Sequence, residues 1–198
     1  MRFTVEFQAD HLARALEAVR LEIATPRQML ESMGESLLPV NQERHNKGLA
    51  PDGTKWKELS PMSIGTMVWK SQRPGFRKRG QMSLATARKV QRHRILHGNG
   101  DMLESFNYQV QGAELVFGFS DRKAAWHHFG TGTHGPKGTA YEITPKRAKA
   151  LAFGGLVRMR VRHPGIPARP LIGFPASDQQ LVSDVIEDHL SLVLNRVR

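Results

Sequence analysis

A glycine-rich segment is the first place where residue types and spacing could support chemistry. Residues 130–135, GTGTHG, match the letters of a dinucleotide-binding glycine motif. That motif holds a pyrophosphate only when a strand feeds the turn and a helix follows it. Here a predicted helix precedes the glycines, and Pro136 stands where a phosphate-binding P-loop has its lysine. The segment therefore predicts a loop whose glycines allow close contact with a neighbouring subunit.

Histidines and paired carboxylates are the next candidates for chemistry. His127, His128 and His134 form a cluster, but adjacent histidines on a helix point about 100° apart and no cysteine is present to complete a zinc site. Asp101 and Glu104 lie one helical turn apart, where a cap and a solvated charge explain them. We predict no catalytic residue, no metal site and no cofactor, and interpret the chain as a non-enzyme.

Positive charge is the strongest chemical feature of the sequence. The formal net charge is +11, which favours contact with nucleic acid or with an acidic protein surface. Basic residues fill the segment 70–94, which contains no acidic residue, and three more alternate along the segment 156–162. The candidate polyanion contacts are Arg77, Lys78, Arg79, Arg88, Lys89, Arg92, Arg94, Arg158, Arg160 and Arg162. Because no helix-turn-helix or RNA-binding motif accompanies them, we favour a solvated or subunit-docking arm, with nucleic-acid binding as the alternative.

Length and composition indicate one globular protein around these residues. A chain of 198 residues can build one domain with its own core, so we predict a single domain over residues 1–198. No stretch reaches the roughly 20 apolar residues that cross a membrane, and the N-terminus lacks the apolar run of a signal peptide. Zero cysteines exclude disulfides and thiolate catalysis. We expect a protein made in the cytoplasm, without membrane contact.

Helices are predicted at both ends of the chain. Residues 1–48 are expected to hold a strand and then two helices, the second of which should kink or end near Leu38 because Pro39 follows. Segment 70–94 should form an exposed, extended basic arm, because its apolar residues are too sparse to define a buried face. The apolar spacing of residues 176–198 predicts a terminal helix.

Two hairpins are predicted between these ends, in the sheet region 95–175. The first shows alternating apolar residues on both sides of a short turn, and the second turns at the glycine pair 154–155. In the last strand, Val157, Met159 and Val161 should face the core, with three arginines on the other side. Hairpins segregated from helices predict an α+β fold, with a small, mostly antiparallel sheet packed by the N- and C-terminal helices.

Three segments resemble a known family. They are residues 51–61 (PDGTKWKELSP), 124–131 (AAWHHFGT) and 163–174 (HPGIPARPLIGF). Together with the stretch that precedes the first hairpin, they span about residues 51–198. In this order they resemble the phage virion morphogenesis family, the tail completion proteins of Mu-like and P2-like phages, and the third segment is the most specific.

The resemblance implies a structural protein of the phage particle. It would complete the tail or join it to the head at the neck, as a tail terminator or a connector-type ring subunit. The implied partners are copies of itself in a hexamer-like ring and the tail-tube or neck proteins of the same phage, with DNA as a further candidate. The implied location is the head–tail junction of the virion, after assembly in the host cytoplasm.

Long loops that order on assembly suggest where such subunits would meet. Our candidates for the assembly interface are Trp56, Trp126, Phe129, Gly130, Ile166, Pro167, Arg169 and Pro170. The prolines that flank Arg169 restrict its backbone, and we expect them to direct its guanidinium toward a carboxylate.

Overall fold

The computed structural model describes residues 9–70, 83–97, 101–153 and 156–197. The helices are α1 Asp10–Ala24, α2 Arg27–Lys47, α3 Pro61–Lys70, α4 Leu84–Gln91, α5 Asp101–Glu104, α6 Lys123–Phe129 and α7 Ala176–Asn195, with a 3₁₀ turn at Gly132–His134. The strands are β1 Phe106–Gln111, β2 Glu114–Phe119, β3 Tyr141–Ile143, β4 Leu151–Phe153, β5 Leu156–Arg158 and β6 Val161–His163. Within the described ranges they pair as three two-stranded sheets, β1 with β2, β3 with β6 and β4 with β5. The predicted α+β fold is confirmed.

The chain forms two compact units. The first combines the described parts of Met1–Gln42, Phe106–Gly118 and Phe174–Arg198, and the second combines those of Glu43–Ser105 and Phe119–Gly173. Helix α2 contributes to both units, because the boundary between them falls within its last turns.

The first unit packs α1, α2 and α7 with the β1–β2 hairpin. Alternation of apolar and polar residues along β1 gives the alternating burial that a half-covered strand requires. His189 of α7 lies 2.7 Å from a carboxylate oxygen of Glu22 and thereby connects α7 to α1. The buried apolar residues of this unit are Met33, Leu37, Phe106 and Val193.

A glycine inside α2 is explained by the strand that packs on it. Glycine lowers helix stability by roughly 1 kcal/mol relative to alanine, so its place mid-helix needs a reason. A Cβ atom at Gly34 would collide with the ring of Tyr108 in β1. The absent side chain therefore makes room for the tyrosine, whose ring in turn lies 5.8 Å from that of Phe117.

The second unit is built around a small apolar core. Its buried members are Ala50, Trp56, Met102, Ala124 and Leu171. Two short antiparallel pairs lie in the same unit, with Glu142 of β3 opposite Arg162 of β6, and Ala152 of β4 opposite Val157 of β5.

The alternative that the helix ends near Leu38 is wrong, since α2 continues through Pro39 to Lys47. Pro39 is exposed, while buried residues fix the helix on both sides of it, among them Leu37 before and Asn41 after. The Asn41 side chain also donates to the Leu37 carbonyl at 2.9 Å. Packing outweighs the one hydrogen bond that proline removes.

The basic segment is not extended where the structure describes it. Leu84–Gln91 form α4, and the hydroxyl of Ser83 caps it by accepting from the Thr86 amide at 3.1 Å. Thr86 is itself buried, so one face of α4 packs against the protein although the segment has few apolar residues. Residues 71–82 of the predicted arm, the predicted N-terminal strand and the glycine pair 154–155 lie outside the described residues.

The last predicted strand is divided, and its expected core face is exposed. β5 pairs with β4 and β6 pairs with β3, so the chain changes partner near Met159. Val157 is 68% exposed and Met159 76% exposed, which corrects their predicted burial, while Val161 is half-buried. Alternation alone could not distinguish a covered strand from one whose apolar side chains remain open.

Candidate functional site

Three segments that are distant in sequence converge within the second unit. We call them together the motif cluster, defined as residues 50–58, 124–135 and 163–171. Its contacts are mainly hydrogen bonds between a side chain of one segment and the backbone of another. They hold in place loops whose backbone groups make few hydrogen bonds of regular secondary structure.

Trp56 joins the first segment to the third. Its indole N–H donates to the Pro170 carbonyl at 2.9 Å, and the ring is buried in the core. The loop before it is closed locally by Asp52, whose carboxylate accepts from the amide and the hydroxyl of Thr54. This turn, closed by the Asp52 side chain, orients the chain just before the buried Trp56.

Arg169 makes a second connection between the same segments. The guanidinium is buried, and its Nε and Nη2 donate to the Lys57 carbonyl at 3.0 and 2.8 Å, while Nη2 also reaches the Glu58 carbonyl at 3.3 Å. The expected carboxylate partner is therefore wrong, because two backbone carbonyls occupy the planar donor fork. Burial lowers the pKa of Arg169, and the charge of Glu58 opposes that effect.

Helix α6 is held by its inner face. The Arg169 amide donates to the His127 carbonyl at 2.7 Å, and the Leu171 amide donates to Nδ1 of His128 at 3.1 Å. An Nδ1 that accepts leaves the proton of the neutral imidazole on Nε2. Burial lowers the pKa of both histidines, which favours this neutral form. The histidine pair is thus part of the packing of α6.

The outer face of α6 presents two aromatic rings. Trp126 is 52% exposed and Phe129 60% exposed, although both belong to a helix whose Ala124 is buried. At 100° per residue they lie about 60° apart on the side opposite Ala124. A fixed helix therefore displays an apolar pair to its surroundings.

The glycine-rich loop packs against the third segment of its own chain. The Thr131 amide donates to the Ile166 carbonyl at 3.0 Å, and the Ile166 amide donates to the Thr131 hydroxyl at 2.9 Å. Gly132 has a φ of 63°, and a Cβ atom there would run into the Pro164 carbonyl. These glycines were predicted to allow close contact with a neighbouring subunit; the close approach in the structure is made to residues 163–166 of the same chain.

Comparison with known proteins bears on this arrangement. A family model, the phage virion morphogenesis family, matches residues 7–191. The chain belongs to that family. No curated protein and no solved structure matches it. The match reaches further toward the N-terminus than the resemblance of residues 51–198, and so includes α1 and α2.

The predicted interface residues of this morphogenesis protein fall into two groups. Trp126, Phe129 and Pro170 are exposed, and Ile166 and Pro167 are half-buried. Trp56, Gly130 and Arg169 are buried within their own unit, where the contacts above explain them.

The predicted polyanion contacts are placed in part. Arg88, Arg92 and Arg94 are exposed in and just after α4, and Lys89 also lies in that helix. Arg158, Arg160 and Arg162 are exposed in and between β5 and β6. Arg77, Lys78 and Arg79 lie outside the described residues.

The contact between a buried and a half-buried histidine was not predicted. His45, at the end of α2, has its ring centroid 5.1 Å from that of Trp56 and 5.4 Å from that of His97. Among the residues that the structure describes, neither ring nitrogen of His45 has a hydrogen-bond partner, and Nε2 of His97 lacks one as well. Since 52 positions separate them, no local sequence signal indicates the pair.

Across the ranges that the structure describes, no group of three or more histidines and carboxylates is placed to hold a metal ion. Among the same residues, no helix has the length and apolar character needed to cross a membrane.

Proposed function

We propose that this virion morphogenesis protein is a ring-forming subunit that completes the phage tail or joins it to the head at the neck, as a tail terminator or connector. Family membership supports a structural role in building the virion. The observation that carries the proposal is the exposed Trp126 and Phe129 pair on a helix fixed by the motif cluster.

An exposed aromatic pair of this kind favours protein contact. Tryptophan and phenylalanine each bury roughly 150 to 250 Å² when covered, and tryptophan is enriched among the residues that dominate binding energy. Because α6 is held by the backbone contacts of His127 and Leu171, its aromatics are preorganised, which reduces the entropy lost on association.

To test this proposal, phage are produced in cells that make the Trp126→Ala variant in place of the wild-type protein. We expect the yield of infectious particles to fall by at least roughly 30-fold, since removing a central aromatic weakens an interface by about 2 kcal/mol or more. Electron microscopy should then show unfinished tails or tails separated from filled heads. Mass spectrometry of wild-type virions should find the chain in a few copies per particle.

Arg122→Ala is the matched control, because Arg122 is exposed immediately before the same helix. It should leave yield and particle shape unchanged. If Trp126→Ala protein melts at the wild-type temperature and still supports full yield with normal tails, the aromatic pair is not an assembly surface.

Nucleic-acid binding is the second candidate function. It is favoured by the exposed Arg88, Arg92 and Arg94, a stretch without acidic neighbours in sequence. Reversing these three charges should then weaken duplex binding and flatten its salt dependence, as phosphate contacts require. A full-length protein that does not bind duplex DNA near physiological salt would eliminate this candidate.

A further inference from the structure

Helix α7 carries an unneutralised acidic face. Asp184, Glu187 and Asp188 are exposed and, at 100° per residue, fall within about 100° of one another around the helix. The buried Val193 lies on the opposite side. No lysine or arginine occurs between Ala176 and Asn195, so the helix itself supplies no counter-charge.

The described residues do not neutralise this face either. Asp184 accepts from the Gln180 side chain at 2.7 Å, but in the described ranges neither Glu187 nor Asp188 has an ion-pair partner. Leu192 and Leu194 are exposed at the C-terminal end of the helix, beside the carboxylates. The face therefore combines negative charge with open apolar surface.

The segment from β5 to β6 has the complementary character. Arg158, Arg160 and Arg162 are exposed. Glu142 lies opposite Arg162 in the β3–β6 pair, and among the described residues its carboxylate is within 4.0 Å of Arg160, at 3.8 Å. The exposed Val157 and Met159 alternate with them. We call residues 157–162 the basic edge.

We propose that the basic edge of one copy docks on the acidic face of α7 in the next copy of the same chain. This inference rests on the proposed ring-forming function and specifies the contact that would build the ring. Two different surfaces that recognise each other make a head-to-tail contact, which closes into a ring when the rotation between copies allows.

Charge complementarity identifies a second copy as the occupant. A chain with net charge +11 repels its own copies over long distances, so a local pairing of opposite charge favours association of two copies. The apolar side chains between the arginines, and the leucines beside the carboxylates, suit a protein contact in which both are covered. A phosphate backbone would leave Val157 and Met159 without apolar partners.

The absence of cysteines makes the contact directly testable. Full-length Met159→Cys and Leu192→Cys variants, produced together in phage-forming cells, should form a disulfide-linked heterodimer under mild oxidation, and each alone should not. A chain with both substitutions should give a ladder of linked species in purified particles. Glu114→Cys, at an exposed position in β2, replaces Leu192→Cys as the control and should give no linkage to Met159→Cys.

Charge reversal provides an independent readout. Changing the three arginines of the basic edge to glutamate should weaken self-association at least roughly tenfold, and so should changing Glu187 and Asp188 to lysine. Mixing the two reversed proteins should restore assembly, because the intact basic edge of one variant meets the intact acidic face of the other, and the two reversed surfaces are again opposite in charge. Circular dichroism checks that both variants remain folded.

The results of these experiments distinguish failure of the proposed contact from failure of the proposed ring-forming function. If virions contain the chain but the Met159–Leu192 linkage never forms and mixing rescues nothing, the contact is wrong and the morphogenesis role stands. If virions lack the chain and it never self-associates, the proposed function and the contact both fail. If arginine reversal removes DNA affinity and leaves rings intact, the basic edge binds polyanions and the contact is wrong.

Discussion

Replacing His45 by phenylalanine should remove much of the acid sensitivity of this protein. His45 is 4% exposed and its ring packs against Trp56, and within the described part of the chain neither ring nitrogen has a hydrogen-bond partner. Burial, and secondarily repulsion from His97, lowers the pKa of His45 to about 4. The folded state therefore holds this imidazole neutral, although its usual pKa in an unfolded chain is about 6.5.

The sign and size of the effect follow from this difference. Because the unfolded chain binds the proton more readily, the stabilising contribution is complete above about pH 6.5 and is lost as the pH falls toward about 4. Between about pH 7 and about pH 5, the His45 proton alone should reduce the free energy of unfolding by about 2 kcal/mol. His97 adds a smaller effect in the same direction, because burial lowers its pKa too, helped by the charges of Arg94 and His93.

Phenylalanine keeps the ring and removes both unpartnered nitrogens. We expect His45→Phe to be as stable as the wild type near pH 7, or more stable, because it ends the burial of two polar atoms without partners. The difference in free energy of unfolding between His45→Phe and the wild type should therefore be about 2 kcal/mol larger near pH 5 than near pH 7.

The assay is urea unfolding followed by tryptophan fluorescence at both pH values. His11→Gln serves as the control, because His11 is exposed on α1 and its loss should leave the pH dependence of the wild type unchanged. If His45→Phe loses as much stability on acidification as the wild type, the buried imidazole does not control acid sensitivity and the reasoning fails.

Three further predictions concern packing within each of the two units. Arg169→Met should lower the free energy of unfolding by about 3 kcal/mol, because it leaves two backbone carbonyls without their charged donor, as urea unfolding can measure. Gly132→Ala should lower it by at least about 2 kcal/mol through a clash and a positive φ, whereas Gly138→Ala, at similar φ in open space, should lower it by only about 1 kcal/mol. Gly34→Ala should lower the melting temperature because a tyrosine ring occupies the space, while Gly65→Ala in the open face of α3 should raise it; equal shifts for both would contradict the packing argument.

Local sequence patterns were sufficient to predict several secondary-structure elements and the family. Periodic apolar spacing and turn residues predicted the first hairpin, the helix before the glycine-rich loop and the terminal helix, because these signals act over a few neighbouring positions. The segments around Trp56, Trp126 and Arg169 carried the resemblance to the family, although their sequence alone did not show what each residue contacts. Membership in the phage virion morphogenesis family confirms that interpretation.

The contacts that those residues make depend on how distant parts of the chain fold together. Their sequence does not show which acceptors Trp56 and Arg169 bind. In the structure, their side chains donate hydrogen bonds to the carbonyls of Pro170 and Lys57 in the same chain. Val157 and Met159 had the spacing of a core strand, but no element among the described residues covers them. His45 and His97 meet from positions that share no local pattern. Burial depends on which surfaces the rest of the chain brings together, and that information is not contained in any short window of sequence.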